Sequence, residues 1–164
     1  CRGASGVAHV SCLARQAQVT VERDGGRWRQ WDICGLCKQG YHGPVLCALG
    51  WAAWKTYVSR PEANWARRQA MNLLGTGLSE AEHHEDALSV REAVLCIERR
   101  LGSSEGSTLS EGNILVAQAN LATSLRMLKR LDEAMRMRRE TYSGTLKLYG
   151  EEHRETMIET NNYA

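Results

Sequence analysis

The sequence predicts a mainly α-helical protein, in which a small cysteine- and histidine-bearing module precedes antiparallel helix pairs. Apolar residues recur at helical spacing in the second part of the chain, where residues 84–109 resemble residues 131–157. Residues 1–58 differ, because they hold eight of the fifteen glycines and four of the five tryptophans. We therefore treat the chain as two regions with different folding requirements.

The first region carries two pairs of potential metal ligands. His9-x-x-Cys12 and Cys34-x-x-Cys37 each place two such side chains in one tight turn, and together they supply the four ligands of a tetrahedral Zn²⁺. Zinc would also stabilise a short, glycine-rich segment. The spacing leaves three alternatives open: buried core cysteines, disulfide partners, and a redox pair at Cys34 and Cys37.

Two stretches carry a more specific signal. The sequences CRGASGVAHVSCL and CGLCKQGY resemble the second half of a RING-CH (RING-variant) zinc finger. Fingers of this family bind two zinc ions in a cross-brace through seven cysteines and one histidine. The resemblance implies a partial RING-CH-like module over residues 1–42.

The resemblance also assigns the ligands. It places His9 and Cys12 on one Zn²⁺, and Cys1, Cys34 and Cys37 on the other. Three further ligands are expected upstream of Cys1, so we expect the sequence to be a fragment of a longer protein. The alternative is a single site formed by His9, Cys12, Cys34 and Cys37.

RING-CH fingers are typically ubiquitin-protein ligases that dock a ubiquitin-conjugating enzyme on apolar side chains around the zinc loops. Many members carry a tryptophan four residues after the cysteine of the histidine pair, where this chain has Gln16. Trp28 and Trp31 stand at a different spacing. The resemblance therefore implies either a ubiquitin ligase or a non-catalytic scaffold in which zinc is purely structural.

Residues 43–60, GPVLCALGWAAWKTYVSR, predict a connecting helix because their apolar residues recur at helical spacing. We expect Trp51, Trp54 and Trp65 to pack where this helix meets the first helix pair. The rival interpretation is a helix lying on a membrane surface. A new helix is expected to begin at Pro61, with Ser59 as its cap.

The rest of the chain repeats one helix–turn–helix unit. Two parts of the alignment are Glu85-Asp86-Ala87 with Asp132-Glu133-Ala134 and Arg91-Glu92 with Arg139-Glu140. Gly102 and Gly150 are expected to end the second helix of each copy. A third copy begins near the C-terminus, where Asn162 follows Asn120 by 42 residues. Neither helix buries its apolar stripe alone, so neighbouring helices must supply the core.

The segment ANLATSLRMLKRLDEAMRMRRETYSGTLKLYGEEHRET resembles tetratricopeptide repeats of the kinesin-light-chain type. The resemblance implies a first repeat over residues 61–109, a second over 113–157 and the start of a third over 158–164. It also implies an array whose concave face binds a protein or peptide partner.

Composition excludes several functions. The net charge of +2 comes from interspersed residues of both signs, so no nucleic-acid-binding stripe is predicted. The longest apolar run is too short to cross a membrane. Because the cysteine spacing favours metal over a secreted disulfide framework, we expect an intracellular, cytoplasmic protein, although its targeting signals are unreadable. Apart from the ligase alternative, no catalytic site or glycine-rich phosphate loop is predicted.

The remaining cysteines and histidines are assigned structural roles. Cys47 and Cys96 are expected to be buried as small apolar residues. His42, which follows Tyr41 just past the zinc motif, is a candidate stray ligand, although this role is not favoured. His83 and His84 are expected to be a surface pair at the entry of a repeat helix, and His153 is expected to have a structural role in the repeat.

Overall fold

The chain is mainly α-helical, as predicted. The computed structural model describes residues 8–23, 28–105 and 108–163. The chain divides into a first unit of residues 1–90 and a second unit of residues 91–164. The described residues form seven α-helices: α1 (Val10–Arg23), α2 (Gly43–Tyr57), α3 (Trp65–Glu80), α4 (His84–Glu105), α5 (Thr108–Met127), α6 (Leu131–Tyr149) and α7 (Arg154–Tyr163). A short 3₁₀ helix, Trp28–Trp31, lies between α1 and α2. The division between the units falls within α4.

One hydrophobic core joins α1, the 3₁₀ helix, α2 and α3 in the first unit. Its centre is aromatic: Trp31 and Tyr57 are fully buried, with ring centroids 6.0 Å apart. Trp28 lies 5.9 Å from Trp31 and 5.9 Å from Trp65. Residues of the predicted zinc module, connecting helix and first repeat thus share a core, and the proposed domain boundaries remain predictions.

Two glycines allow α2 and α3 to approach closely. A Cβ at Gly50 would lie 2.8 Å from Leu74 Cα, and one at Gly77 would lie 2.7 Å from Cys47 Cα. Real Cβ atoms do not approach backbone atoms this closely, so larger residues would force the helices apart. The expectation for the tryptophans holds in part: Trp54 packs on the core beside this crossing, whereas Trp51 is 44% exposed.

The start of α3 differs from the expectation. Asn64 is the N-cap, and its side chain accepts hydrogen bonds from the amides of Ala66 and Arg67. Pro61 instead lies in the preceding turn, where its carbonyl accepts a 2.9 Å hydrogen bond from the Asn64 amide. Asparagine satisfies two amides that a helix start leaves free, which explains why the helix begins here and not at Pro61.

The α3–α4 and α5–α6 turns have the same hydrogen bonds. In the first, Glu82 N donates to Ser79 O and His83 N to Leu78 O; in the second, Lys129 N donates to Arg126 O and Arg130 N to Leu125 O. Both turns place a non-glycine residue at positive φ, 66° at Glu82 and 62° at Lys129. These are two copies of the Schellman motif that commonly ends a helix.

Because the two turns have the same hydrogen bonds, equivalent residues of the two repeats are 47 positions apart in the sequence. Because α4 and α6 are continuous, the same offset holds along both helices, and Arg91 corresponds to Arg138. The expected alignment of Arg91-Glu92 with Arg139-Glu140 is therefore wrong by one residue. A shift of one residue along a helix turns the side chain by about 100°, so the correction changes which side chains are equivalent.

The two glycines expected to end the second helices have different roles. Gly150 ends α6 with a φ of 85°, as predicted. Gly102 does not end α4, which continues to Glu105. A Cβ at Gly102 would lie 3.0 Å from Ile114 Cδ1, so this glycine provides room for α5. Its small size, and not its freedom to adopt positive φ, explains its position.

Candidate functional site

The Cys34–Cys37 turn is a small backbone hairpin. Cys34 N donates to Gln39 O at 2.8 Å, Lys38 N donates to Cys34 O at 3.0 Å, and Ile33 pairs with Gly40 in an antiparallel bridge. Lys38 closes the turn with a φ of 62°. These bonds hold the two cysteines on one tight turn, as the sequence predicts.

The turn stabilises a thiolate at its first cysteine. Hydrogen bonds from the backbone amides of Cys37 and then Leu36 lower the pKa of Cys34 to about 7. Hydrogen bonding by the side chains of Cys37 and Tyr41 acts in the same direction. Zinc binds the thiolate and not the thiol, so these donors favour the form of Cys34 that a metal needs. The donor set of Cys34 and Cys37 thus fits half of a zinc site.

The second predicted pair lies at the start of α1. His9 precedes the helix and its carbonyl accepts from Cys12 N at 3.0 Å; both residues are exposed. Gln16 follows Cys12 by one helical turn, on the same face of α1. A Cβ at Gly35 would lie 3.7 Å from Gln16 Nε2. The face of α1 that carries Cys12 therefore borders the Cys34–Cys37 turn.

The four predicted ligands that the structure describes, His9, Cys12, Cys34 and Cys37, are not brought together as one cluster. Within residues 8–23, 28–105 and 108–163, no three His, Cys, Asp or Glu side chains form a group suited to a metal ion. Cys1 lies outside the described residues. The assignment of Cys1, His9, Cys12, Cys34 and Cys37 to zinc stays a prediction, supported by the geometry of the Cys34–Cys37 turn.

The other cysteines and histidines have identifiable surroundings. Cys47 is partly buried beside the α2–α3 core, and this burial raises its pKa. Cys96 is exposed, so the expectation that it is buried is wrong. His42 is also exposed, and its Nδ1 lies 3.5 Å from Glu80 Oε2. That carboxylate oxygen accepts a 3.0 Å hydrogen bond from Gly43 N, which stabilises the start of α2.

The second unit contains a groove of about 290 Å³ between α5 and α7, with α6 as its floor. Thr141 and Thr145 of α6 line the floor, are almost fully buried, and donate their hydroxyls to carbonyls of their own helix. The middle of the groove is apolar. There, Val116 of α5 is 53% exposed and Ile158 of α7 is 38% exposed. The groove thus offers accessible apolar surface flanked by polar groups.

One end of the groove is a polar network. Arg138 Nη2 donates to Thr123 Oγ1 at 2.7 Å, and its Nη1 donates to Glu159 Oε2 at 3.3 Å. Glu159 Oε1 accepts from Asn162 Nδ2 at 3.3 Å. Asn120 lines the groove as well, so the two asparagines that the alignment relates contribute to one surface. The arginine and glutamate charges at this end neutralise each other.

Tyr149 closes the opposite end. Its hydroxyl occupies the position that a Cβ of residue 112 would need, so Gly112 allows the tyrosine to reach α5. One ring face stacks on His153, with centroids 4.5 Å apart. His153 Nδ1 also accepts a 3.2 Å hydrogen bond from Glu155 N at the start of α7. The structural role expected of His153 is therefore a cap that also supports Tyr149.

The residues that line the groove are not apparent from the sequence. Val116, Tyr149, Glu155 and Ile158 lie on three helices, and only the packing of those helices shows that they share a surface. The 42-residue relation between Asn120 and Asn162 was the one available signal. Repeated polar residues on equivalent helices indicate a shared exposed face, because a buried stripe would be apolar.

No helix among the described residues has the length and apolar character needed to span a membrane. Comparison of the chain with protein-family models, with curated proteins and with solved structures gives no match.

Proposed function

We propose that the chain is a zinc-binding adaptor, in which a RING-CH-like module holds Zn²⁺ and the helix pairs form a tetratricopeptide array that binds a protein partner. The observation that carries the proposal is the hairpin that holds Cys34 and Cys37 on one tight turn, in which Cys34 N donates to Gln39 O at 2.8 Å and Lys38 N donates to Cys34 O at 3.0 Å. The backbone amides of Cys37 and Leu36 also lower the pKa of Cys34, which favours the thiolate form that binds zinc. The reducing interior of the cell, which the cytoplasmic assignment supposes, keeps such thiols available.

In this proposal Cys34 and Cys37, with Cys1, hold one Zn²⁺, and His9 and Cys12 contribute to the other. Bound zinc supplies structural stability and holds its ligands deprotonated. The protein's own contribution is the hairpin, whose bonds position Cys34 and Cys37 before metal binds. Pre-positioned ligands lose less conformational entropy on binding, which strengthens the site.

Metal analysis tests the zinc assignment. We expect zinc to co-purify with the full chain and its content to fall with Cys34→Ser. Cys96→Ser is the matched control, because Cys96 is exposed and lies outside the module. Cobalt substitution adds a second readout, since thiolate-to-cobalt absorption counts the sulfur ligands. Absence of metal, or an equal loss with Cys96→Ser, would contradict the assignment.

The RING-CH resemblance suggests that the module acts as a ubiquitin ligase. Leu36 supports this activity, because it lies between Cys34 and Cys37 and is 83% exposed. An exposed apolar side chain at the tip of a rigid turn suits the docking of a ubiquitin-conjugating enzyme. We expect autoubiquitination that Leu36→Ala reduces and that Met135→Ala, an exposed apolar change on α6, leaves intact.

A non-catalytic scaffold is the second candidate, and Gln16 favours it. The family's tryptophan at this position is replaced by a polar side chain that lies next to Gly35, on the surface that the ligase proposal needs. If no conjugating enzyme supports ubiquitination and zinc still binds, the scaffold is the correct function. In either case the partner is bound by the groove of the second unit.

A further inference from the structure

We infer that the groove of the second unit binds an extended peptide segment that carries an aliphatic residue and, two positions away from it, lysine or arginine. This inference rests on the proposed partner-binding function and specifies the chemistry of the partner. It depends on three features of the groove: its apolar middle, an unneutralised carboxylate, and an aromatic ring at the closed end.

The apolar middle selects an aliphatic side chain. Val116 and Ile158 face the groove from opposite walls and expose 53% and 38% of their surfaces. Large apolar side chains that face each other across a narrow groove gain free energy when a third apolar group covers both. The volume of about 290 Å³ is small for a ligand site and limits the occupant to a few side chains.

Charge selects the second side chain. Of the three charged residues that line the groove, Arg138 and Glu159 form an ion pair. The Glu155 carboxylate has no hydrogen-bond or ion-pair partner within the described parts of the chain. The groove therefore has a net negative charge, which favours a cationic side chain over an anionic one. Tyr149 lies at the same end and offers an aromatic ring to the cation.

The spacing follows from helix geometry. Glu155 and Ile158 are three residues apart on α7, which is about 5 Å along the helix axis. In an extended peptide, residues two positions apart lie on the same side and are separated by roughly 6.6 Å. A peptide that follows α7 would thus place an aliphatic residue at Ile158 and a cation at Glu155.

Two synthetic peptides test the inference against the full chain. The first is acetyl-Gly-Ala-Leu-Ala-Lys-Gly-amide, and in the second glutamate replaces the lysine. Binding is followed by amide chemical shifts in the nitrogen–proton correlation spectrum. We expect both sets of shifts to map to α5 and α7, with about five-fold tighter binding of the lysine peptide at low ionic strength.

Substitutions of Glu155 test whether its carboxylate selects the lysine peptide. Glu155→Gln should remove the preference for lysine, and Glu155→Lys should reverse it in favour of the glutamate peptide. Glu152→Lys is the control, because Glu152 is exposed in the α6–α7 turn and does not line the groove. Val116→Ser should weaken both peptides equally, because it changes only the apolar middle.

The outcomes separate this inference from the proposed function. Equal binding of the two peptides in the groove, or tighter binding of the glutamate peptide, overturns the inference and leaves a peptide-binding array. If neither peptide shifts groove amides, the inference and the groove's role in partner binding both fail, whereas the zinc assignment is judged by metal analysis.

Discussion

Arg138 of α6 and Glu159 of α7 form a buried ion pair, with Nη1 and Oε2 3.3 Å apart and only 12% and 10% of the two side chains exposed. The same guanidinium donates to Thr123 of α5. One cation thus joins the three helices that line the groove. Arg91, at the equivalent position 47 residues earlier, is also buried, but it donates to the neutral oxygens of Asn120 and Ser124.

Removal of one partner of this ion pair should be far more damaging than removal of both. Arg138→Met leaves the Glu159 carboxylate buried without its cation, and we expect it to lower the free energy of unfolding by about 3 kcal/mol. The double variant Arg138→Met/Glu159→Leu should recover most of that loss. Far-UV circular dichroism in urea measures the change, with exposed Arg136→Met as the control.

Arg91→Met extends the same test. It removes hydrogen bonds to neutral acceptors and leaves no buried charge, so its cost should be nearer to about 1 kcal/mol. Burial already lowers the pKa of Arg91, because the surroundings disfavour its charge. If Arg91→Met and Arg138→Met lower the free energy of unfolding equally, the unpaired charge of Glu159 does not explain the cost of removing Arg138.

The close approach of α2 and α3 depends on Gly77. We expect Gly77→Ala to lower the free energy of unfolding by roughly 1 to 3 kcal/mol, because its Cβ would overlap backbone atoms of Leu46 and Cys47. All five tryptophans lie in residues 28–65, so their fluorescence reports this transition in the first unit. Thr76→Ala, an exposed change on the same helix, should have little effect; comparable destabilisation by both would refute the packing argument.

The Schellman turn between α5 and α6 holds a non-glycine residue in an unfavourable backbone conformation, which a substitution by glycine would relieve. Lys129 adopts a φ of 62°, which a side chain disfavours and glycine tolerates. Lys129→Gly should therefore raise the free energy of unfolding by about 0.5 kcal/mol. Arg126→Gly, three residues earlier and within α5, should lower it by about 1 kcal/mol. Opposite signs in urea denaturation support the turn assignment, and a loss at both positions contradicts it.

The pH dependence of the metal-free protein should reveal the Cys34 thiolate. Folding lowers the Cys34 pKa from 9.0 to about 7, chiefly through the Cys37 amide. The thiolate's contribution to stability is therefore complete above pH 9 and is lost as the pH falls through about 7.

Alkylation rates measure this shift. In the chelator-treated protein, iodoacetamide should modify Cys34 with a midpoint near pH 7, the lowered pKa. Cys47, whose pKa burial raises, should react only at higher pH and serves as the internal control. If both cysteines react with one midpoint above pH 8.5, the ordinary range of a free thiol, the amide hydrogen bonds do not stabilise the Cys34 thiolate.

The sequence by itself determined the features that depend on neighbouring residues along the chain. The repeated helical pattern predicted a mainly α-helical protein, and the turn at Gly150 ended α6 as expected. The tight turn of Cys34-x-x-Cys37 was also readable, because a glycine between two closely spaced cysteines is typical of a turn. Local propensity and spacing are sufficient for such features.

Only the tertiary structure decided which side chains share a surface. It showed that Gly102 provides packing space inside α4, that Asn64 begins α3, and that Arg91 corresponds to Arg138. It also brought Val116, Glu155 and Ile158 into one groove. Each of these results depends on the distance and register between helices, which arise when apolar faces are buried together and are not encoded by any single stretch of sequence.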